Sequence, residues 1–293
     1  MRFLAATSGA LVAITTLALS AAADEVPMVL CGGAADGIRD LASAASGPSD
    51  GEGGLAVTIV ESPHSKDNLM KLAGGDCDAA IVDVDMLMLY KADHMAGQLS
   101  VAAPLFLFDK HLHMVCRRES GIESIDDLLR EPERYRLLSG AAGSSSEITW
   151  QALSKLDPDY ARIATRTLGG SEALAALAVG NDADCMAVMD NVNSAFMAEV
   201  EAAGSALRLV AIDLWQLRDA EMVDNRVYRS AVIPPDAYAN LQKGLDEPSV
   251  ETIAVQTMLL VSRDWVRAHP TQHEALSRAA ADARKKLSDG ARQ

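Results

Sequence analysis

The 293-residue sequence has no cluster of lysines and arginines. It carries 26 Lys and Arg against 41 Asp and Glu, a formal charge of −15. Neutralising nucleic-acid phosphates needs basic side chains gathered together, so a nucleic-acid partner is excluded. Bulk acidity does not identify a ligand, because it also serves solubility alone. An anion site here has to be built locally, from backbone N–H groups or a few arginines. No apolar run after the amino end reaches bilayer length: Leu99–Phe108 and Ile253–Val261 are strand-sized, against the roughly 20 residues of a membrane helix. Cysteine is scarce. Cys31, Cys77, Cys116 and Cys185 stand 46, 39 and 69 residues apart, which matches no metal-ligand pattern, and no histidine accompanies them at ligand spacing. No metal and no cofactor are expected. Gly143-Ser144-Ser145-Ser146 lacks the flanking glycines of a nucleophile elbow, and no His–Asp pair can be assigned to it. Cys31 reads as a buried structural cysteine, since a catalytic thiol needs a base and an activated thiolate. No catalytic residue is expected.

What is present starts with Met1-Arg2-Phe3, the apolar stretch Ala10–Leu19, and Ser20-Ala21-Ala22-Ala23 before Asp24-Glu25. One early positive charge, a short apolar run and small residues before a charged pair predict a signal peptide over 1–23. A periplasmic location is therefore expected. Leu30, and not a small residue, precedes Cys31, so lipidation is not expected. Export permits disulfides, but a chain of this size builds a core without them. Free thiols are expected, with Cys31–Cys116 the one pairing the layout allows. Cys77 and Cys185 each begin the third strand of their own half, far from each other.

Short apolar strands alternate with amphipathic helices, the α/β pattern of parallel sheets. Met28–Cys31, Leu55–Val60 and Ala79–Val84 read as strands, with helices over Ile38–Ala45, Ser65–Leu72 and from Asp85. The order then repeats: Tyr135–Leu138, Ala164–Leu168 and Cys185–Met189 read as strands, Glu147–Leu156 and Ser171–Val179 as helices. In both halves a helix ends at glycine (Gly74, Gly180), an acidic turn follows, and a β-branched strand starts. Two similar lobes are predicted, with binding in the crevice at the carboxyl ends of their strands. The chain crosses over in His111–Arg118 and returns near Pro248. That divides it into signal peptide 1–23, first lobe 24–117, second lobe 118–248 and a return to the first lobe over 249–293.

Several stretches resemble the TAXI-type solute receptors of tripartite ATP-independent periplasmic (TRAP) transporters. Ser62-Pro-His-Ser65-Lys-Asp-Asn68-Leu is similar to that family's Thr-Gly-Gly-Ser-Val-Glu-Asn-Leu. Arg117-Arg-Glu-Ser120-Gly-Ile-Glu-Ser-Ile-Asp-Asp-Leu128 resembles its entry to the second lobe, and Gly140-Ala-Ala-Gly143-Ser-Ser-Ser-Glu-Ile-Thr149 its Gly-Pro-Pro-Gly-Ser-Gly-Thr-Glu-Val-Thr. Ser171–Leu177 and Val250–Val261 follow in the same order. The resemblance implies an α/β, two-lobed type II periplasmic-binding-protein fold, each lobe a mostly parallel sheet flanked by helices. It implies a receptor, expected as a monomer, that captures a small organic solute, a carboxylate or amino acid, for a TRAP permease. In place of the family's paired aromatics after a glycine-rich turn, this chain has Cys31-Gly32-Gly33-Ala34-Ala35-Asp36. A ligand-sensing protein that signals to a sensor kinase is the alternative.

The candidate ligand residues follow from position. Ser144, Ser145 and Ser146 follow Gly143 and precede a helix, where hydroxyls and free N–H groups meet the positive helix end; the plainer role is capping by one serine. Ser62, His64 and Ser65 form the matching turn of the first lobe, where Ser65 also suits a cap. Gly32 and Gly33 form the turn after the first strand. Asp190 and Asn193 lie just past the last strand of the second lobe, suited to a ligand amine or hydroxyl or to turn formation. Asp83 ends the matching strand of the first lobe where the family has a neutral glutamine, which suits a ligand with a donor group. Asp85 reads as a helix cap. Tyr228 is placed along the cleft by the returning segment. Arg117 and Arg118 suit either a carboxylate or acids beside the hinge.

Overall fold

The computed structural model describes residues 25–33, 37–46, 54–62, 64–93, 99–180, 182–192, 194–212, 221–222, 225–245 and 249–290. The expected signal peptide over 1–23, Asn193 and the expected return point at Pro248 lie outside them.

Three parallel strands open the chain: β1 (Val26–Gly32), β2 (Leu55–Glu61) and β3 (Ala79–Asp83). Helix α1 (Ile38–Ala45) buries Ile38, Leu41, Ala42 and Ala45, the i, i+3, i+4, i+7 stripe of a helix on a sheet. Helix α2 (Ser65–Gly74) ends at Gly75, whose left-handed φ of 80° caps it. Helix α3 (Val84–Asp93) follows β3 directly and is buried from Val84 to Tyr90. The long strand β4 (Leu105–Arg117) then leads through α4 (Ile125–Arg130) to a second parallel set. This set is β5 (Arg136–Leu138), β6 (Ala164–Arg166) and β7 (Cys185–Asp190). Its helices are α5 (Ser145–Leu156), α6 (Pro158–Ala161), α7 (Gly170–Ala178) and α8 (Ala195–Ala202). Strand β8 (Leu207–Val210), the short pair β9 (Glu221–Met222) and β10 (Asn225–Arg226), and β11 (Tyr228–Ile233) precede the second long strand, β12 (Val250–Val261). Helices α9 (Arg263–Ala268) and α10 (Pro270–Gly290) end the chain, and α10 packs Leu276, Ala279 and Ala280 beside α1.

The main sheet runs β2-β1-β3-β12-β4-β7-β5-β6, with β11 on β12 and β8 on β4. Two parallel trios are thus joined through the antiparallel strands β12 and β4. Leu105–His111 of β4 pairs with β12, and His111–Cys116 pairs with β7. The change of partners falls at His111, the first residue of the stretch His111–Arg118. One apolar cluster contains Leu69 and Val82 of the first trio's layer together with Ile148, Trp150 and Ala187 of the second. The two lobes therefore share a core along β4 and β12.

The cysteines depart from expectation. Cys31 is joined to Cys77, with Cα atoms 6.1 Å apart, and Cys116 to Cys185, with Cα atoms 4.0 Å apart; there are no free thiols. The cause is strand pairing. Leu30 lies opposite Ala79, which brings Cys31 beside the residues leading into β3, while Cys116 and Cys185 are directly opposed in the β4–β7 ladder. Spacing along the chain does not reveal which strands are neighbours.

Candidate functional site

A cavity of about 730 Å³ opens where the strands of both trios end. Gly33 after β1, Glu61 and Ser62 at the end of β2, and His64 and Ser65 at the start of α2 line one side. The other side is Gly140, Ala141 and Ser144–Ser146 between β5 and α5, Leu168–Gly170 and Ala173 at α7, Met186–Asp190 of β7, and Phe196. Lys110 of β4 enters between them.

The turn before α5 depends on Gly140, at φ 103°, a backbone region closed to most side chains. A Cβ there would stand 2.6 Å from both Ser144 Oγ and Ser146 Cβ. Ser144 is the N-cap of α5 and accepts from the Glu147 N–H. Ser146 accepts from the Met189 N–H of β7 at 2.9 Å, and Ser65 from the Asp83 N–H at 2.8 Å. These three hydroxyl oxygens are each held by a backbone donor, and no described residue accepts their protons. Ser62 instead donates to Asn68 Oδ1 at 2.6 Å. The turns of the two lobes meet: a Cβ on Gly143 would lie 3.5 Å from the His64 ring. Gly143 does not line the cavity; its N–H donates to Glu147.

Below the cavity floor lies a buried ionic group. Asp83, 1% exposed, accepts from Ser145 Oγ at 2.5 Å, from Lys110 Nζ at 3.2 Å and from Thr257 Oγ1 at 2.6 Å. Its neighbour Asp85 is fully buried and accepts from Thr149 Oγ1 at 2.7 Å and Tyr228 Oη at 3.0 Å. Burial, followed by repulsion from Asp83, pushes the Asp85 carboxyl up to about 7, against hydrogen bonds that lower it. Burial beside Asp85 pushes the Tyr228 phenol up as well, so it serves as a hydrogen-bond donor. On the sheet's other face His113 is pushed down to about 3, first by burial and then by His111. Its Nδ1 faces the Val188 carbonyl at 3.3 Å and its Nε2 meets Tyr238 Oη at 3.0 Å. Because a carbonyl only accepts, Nδ1 carries the proton.

Of the residues singled out by sequence, Gly33, Ser62, His64, Ser65, Ser144, Ser145, Ser146 and Asp190 share the cavity wall. Gly32 lies beneath it, close to Ile38 and Ile81. Asp83 and Tyr228 are also beneath it, bonded within the protein. Asp85 bonds the Met86 N–H beside it in the first turn of α3. Arg117 pairs with Glu119 and Asp184, and Arg118 donates to the Asn240 carbonyl; neither lines the cavity. Sequence reasoning missed Lys110, although its position was legible: a lysine inside the apolar strand Leu105–Cys116 has to be paired once buried. Leu168, Ala173 and Phe196 carried no sequence signal, because their approach to β7 depends on how α7 and α8 pack.

Residues 39–267 match the NMT1-like family. Among curated proteins none matches the chain. Solved structures share its fold, two of them as follows. The periplasmic aliphatic sulphonate binding protein SsuA from Escherichia coli is 15% identical at a TM-score of 0.50, covering 91% of this chain and 71% of its own. Lactococcal OpuAC, closed on glycine betaine, is 10% identical at 0.51, covering 90% and 89%. The architecture is the two-lobed type II periplasmic-binding-protein fold.

Proposed function

We propose that this chain, which belongs to the NMT1-like family, is a periplasmic solute receptor that closes its lobes on a small organic carboxylate for delivery to a TRAP permease. The observation that carries this reading is the direction of the serine hydroxyls. Ser65 from one lobe and Ser144 and Ser146 from the other already accept backbone N–H groups. Their protons are what remains to offer a ligand, so the cavity presents donors to an acceptor. Ser145 and Ser146 open α5, whose first N–H groups and positive end favour the same sign of charge. The fold relatives bind a sulfonate and a betaine, so small charged solutes suit this architecture. Asp190, which lines the cavity and accepts from the Asn191 N–H through Oδ1, would receive a ligand donor.

Two long strands, β4 and β12, connect the lobes, which restricts their motion to bending and twisting about one axis. Closure then completes a site that neither lobe holds alone. The receptor reading is tested by calorimetry and thermal shift over mono- and dicarboxylates, amino acids and amides. A true ligand raises the melting temperature by mass action and reduces the radius of gyration in solution scattering. Failure of every carboxylate and amino acid to bind removes the reading; binding with no change in scattering removes the closing cleft. Loss of solute uptake in cells lacking either this chain or the permease tests delivery.

A further inference from the structure

The cavity is polar at one end and apolar at the other. Along β7, successive side chains point to opposite faces. Ser146 holds the Met189 N–H on the α5 side, whereas Met186 and Val188 belong to the apolar cluster of α7 and α8 with Ala173 and, at its edge, Leu168 and Phe196. All five of these apolar residues line the same cavity as the serines. The wall therefore has a part that bears hydroxyls and an apolar compartment lined by these five residues.

The charges that reach the cavity are also accounted for. Lys110 is bonded to Asp83 and Ser145, and Glu61 to Arg39 at 2.6 Å. Among the described lining residues no arginine or further lysine faces the apolar end. The ionisable group on β7 beside that end is Asp190, a carboxylate. A second negative charge on a ligand would therefore meet repulsion there and no cation.

Resting on the carboxylate-receptor reading above, we infer that the ligand is a monocarboxylate with an apolar tail. Its head lies on the Ser65, Ser144 and Ser146 hydroxyls and its tail between β7 and the α7–α8 layer. The head supplies the acceptors the serines lack, and the tail displaces water from an apolar wall.

The test is calorimetry on the full mature chain with acetate, butanoate and hexanoate, and with succinate and adipate as two-headed controls. Each added methylene that enters the compartment should tighten binding about fourfold, and adipate should bind at least tenfold more weakly than hexanoate. Phe196→Ser, at a half-exposed position, should reduce the hexanoate-to-acetate affinity ratio at least fivefold while the melting temperature holds. Equal affinity across the monocarboxylates, or tighter binding of the dicarboxylates, overturns the apolar-tail inference and leaves the carboxylate receptor standing. Binding by none of the five overturns the apolar-tail inference, and the receptor reading falls with it only if the amino acids and the remaining carboxylates of the wider screen also fail to bind.

Discussion

Ser145, the first residue of α5, donates its hydroxyl to Asp83, the last residue of β3, at 2.5 Å. Lys110 stands 3.2 Å from each of them. This bond runs from one parallel trio to the other and would be broken by opening of the lobes. Asp83 would keep Lys110 and Thr257, whose strands are laddered to each other and, through β12, to β3.

Removing that hydroxyl therefore acts on closure more than on folding. A hydrogen bond to a charged group contributes roughly 1.5–3 kcal/mol. Ser145→Ala should weaken ligand binding by about tenfold or more, with only a small change in the melting temperature of the free protein. Calorimetry and differential scanning fluorimetry read the two quantities, and an unchanged affinity would separate this bond from closure.

The two buried titratable groups pull stability in opposite directions with pH. Asp85, raised from 3.8 to about 7, keeps its proton where the unfolded chain has lost it, so its contribution falls as pH rises through that interval. His113, lowered from 6.5 to about 3, stays neutral where the unfolded chain is protonated, so its contribution is lost as pH falls below 6.5. Between about pH 4 and 6.5 the two slopes oppose. Asp85→Asn should make the melting temperature climb more steeply with pH in this range than in the parent, and His113→Gln should tilt it the other way. Parallel melting curves for all three proteins would contradict the assignment.

Gly140 is expected to be intolerant of any side chain. Its φ of 103° strains an L residue, at about 1–3 kcal/mol, and the added carbon overlaps Ser144 and Ser146. Gly140→Ala should abolish ligand binding and lower stability, whereas Gly121→Ala, at a left-handed glycine with open space around it and away from the cavity, should incur only the backbone strain. Comparable binding by both variants would show that the serine turn is not the site.

Peptide mapping of the oxidised protein should recover Cys31 with Cys77 and Cys116 with Cys185. The bridges close intervals of 46 and 69 residues, for which chain-entropy arguments give about 4 kcal/mol each. Denaturant unfolding of Cys→Ser pairs should show a loss of about 2–4 kcal/mol for either bridge. Recovery of Cys31 with Cys116 would contradict the β4–β7 ladder.

Local patterns were legible from the sequence because they depend on neighbours along the chain. The alternation of strands and helices, the serine turn ahead of α5 and the matching Ser62–Ser65 turn all follow from periodicity, glycine and capping chemistry. Strand partners were not legible. Register between β4 and β7, and adjacency of β1 and β3, arise from long-range pairing, and they alone decided the disulfides and fixed the change of partners at His111. Lys110 stood in plain sight in an apolar strand, yet its role as the counter-charge of Asp83 required knowing that β12 places Thr257 opposite Asp83 and lies between β3 and β4. The apolar end of the cavity was least accessible of all, since Leu168, Ala173 and Phe196 come from separate segments. The sequence determined the elements, the donors at their ends and the apolar faces; only the tertiary structure decided which ends meet, because contact between distant segments depends on the packing of the whole sheet and not on any one stretch of it.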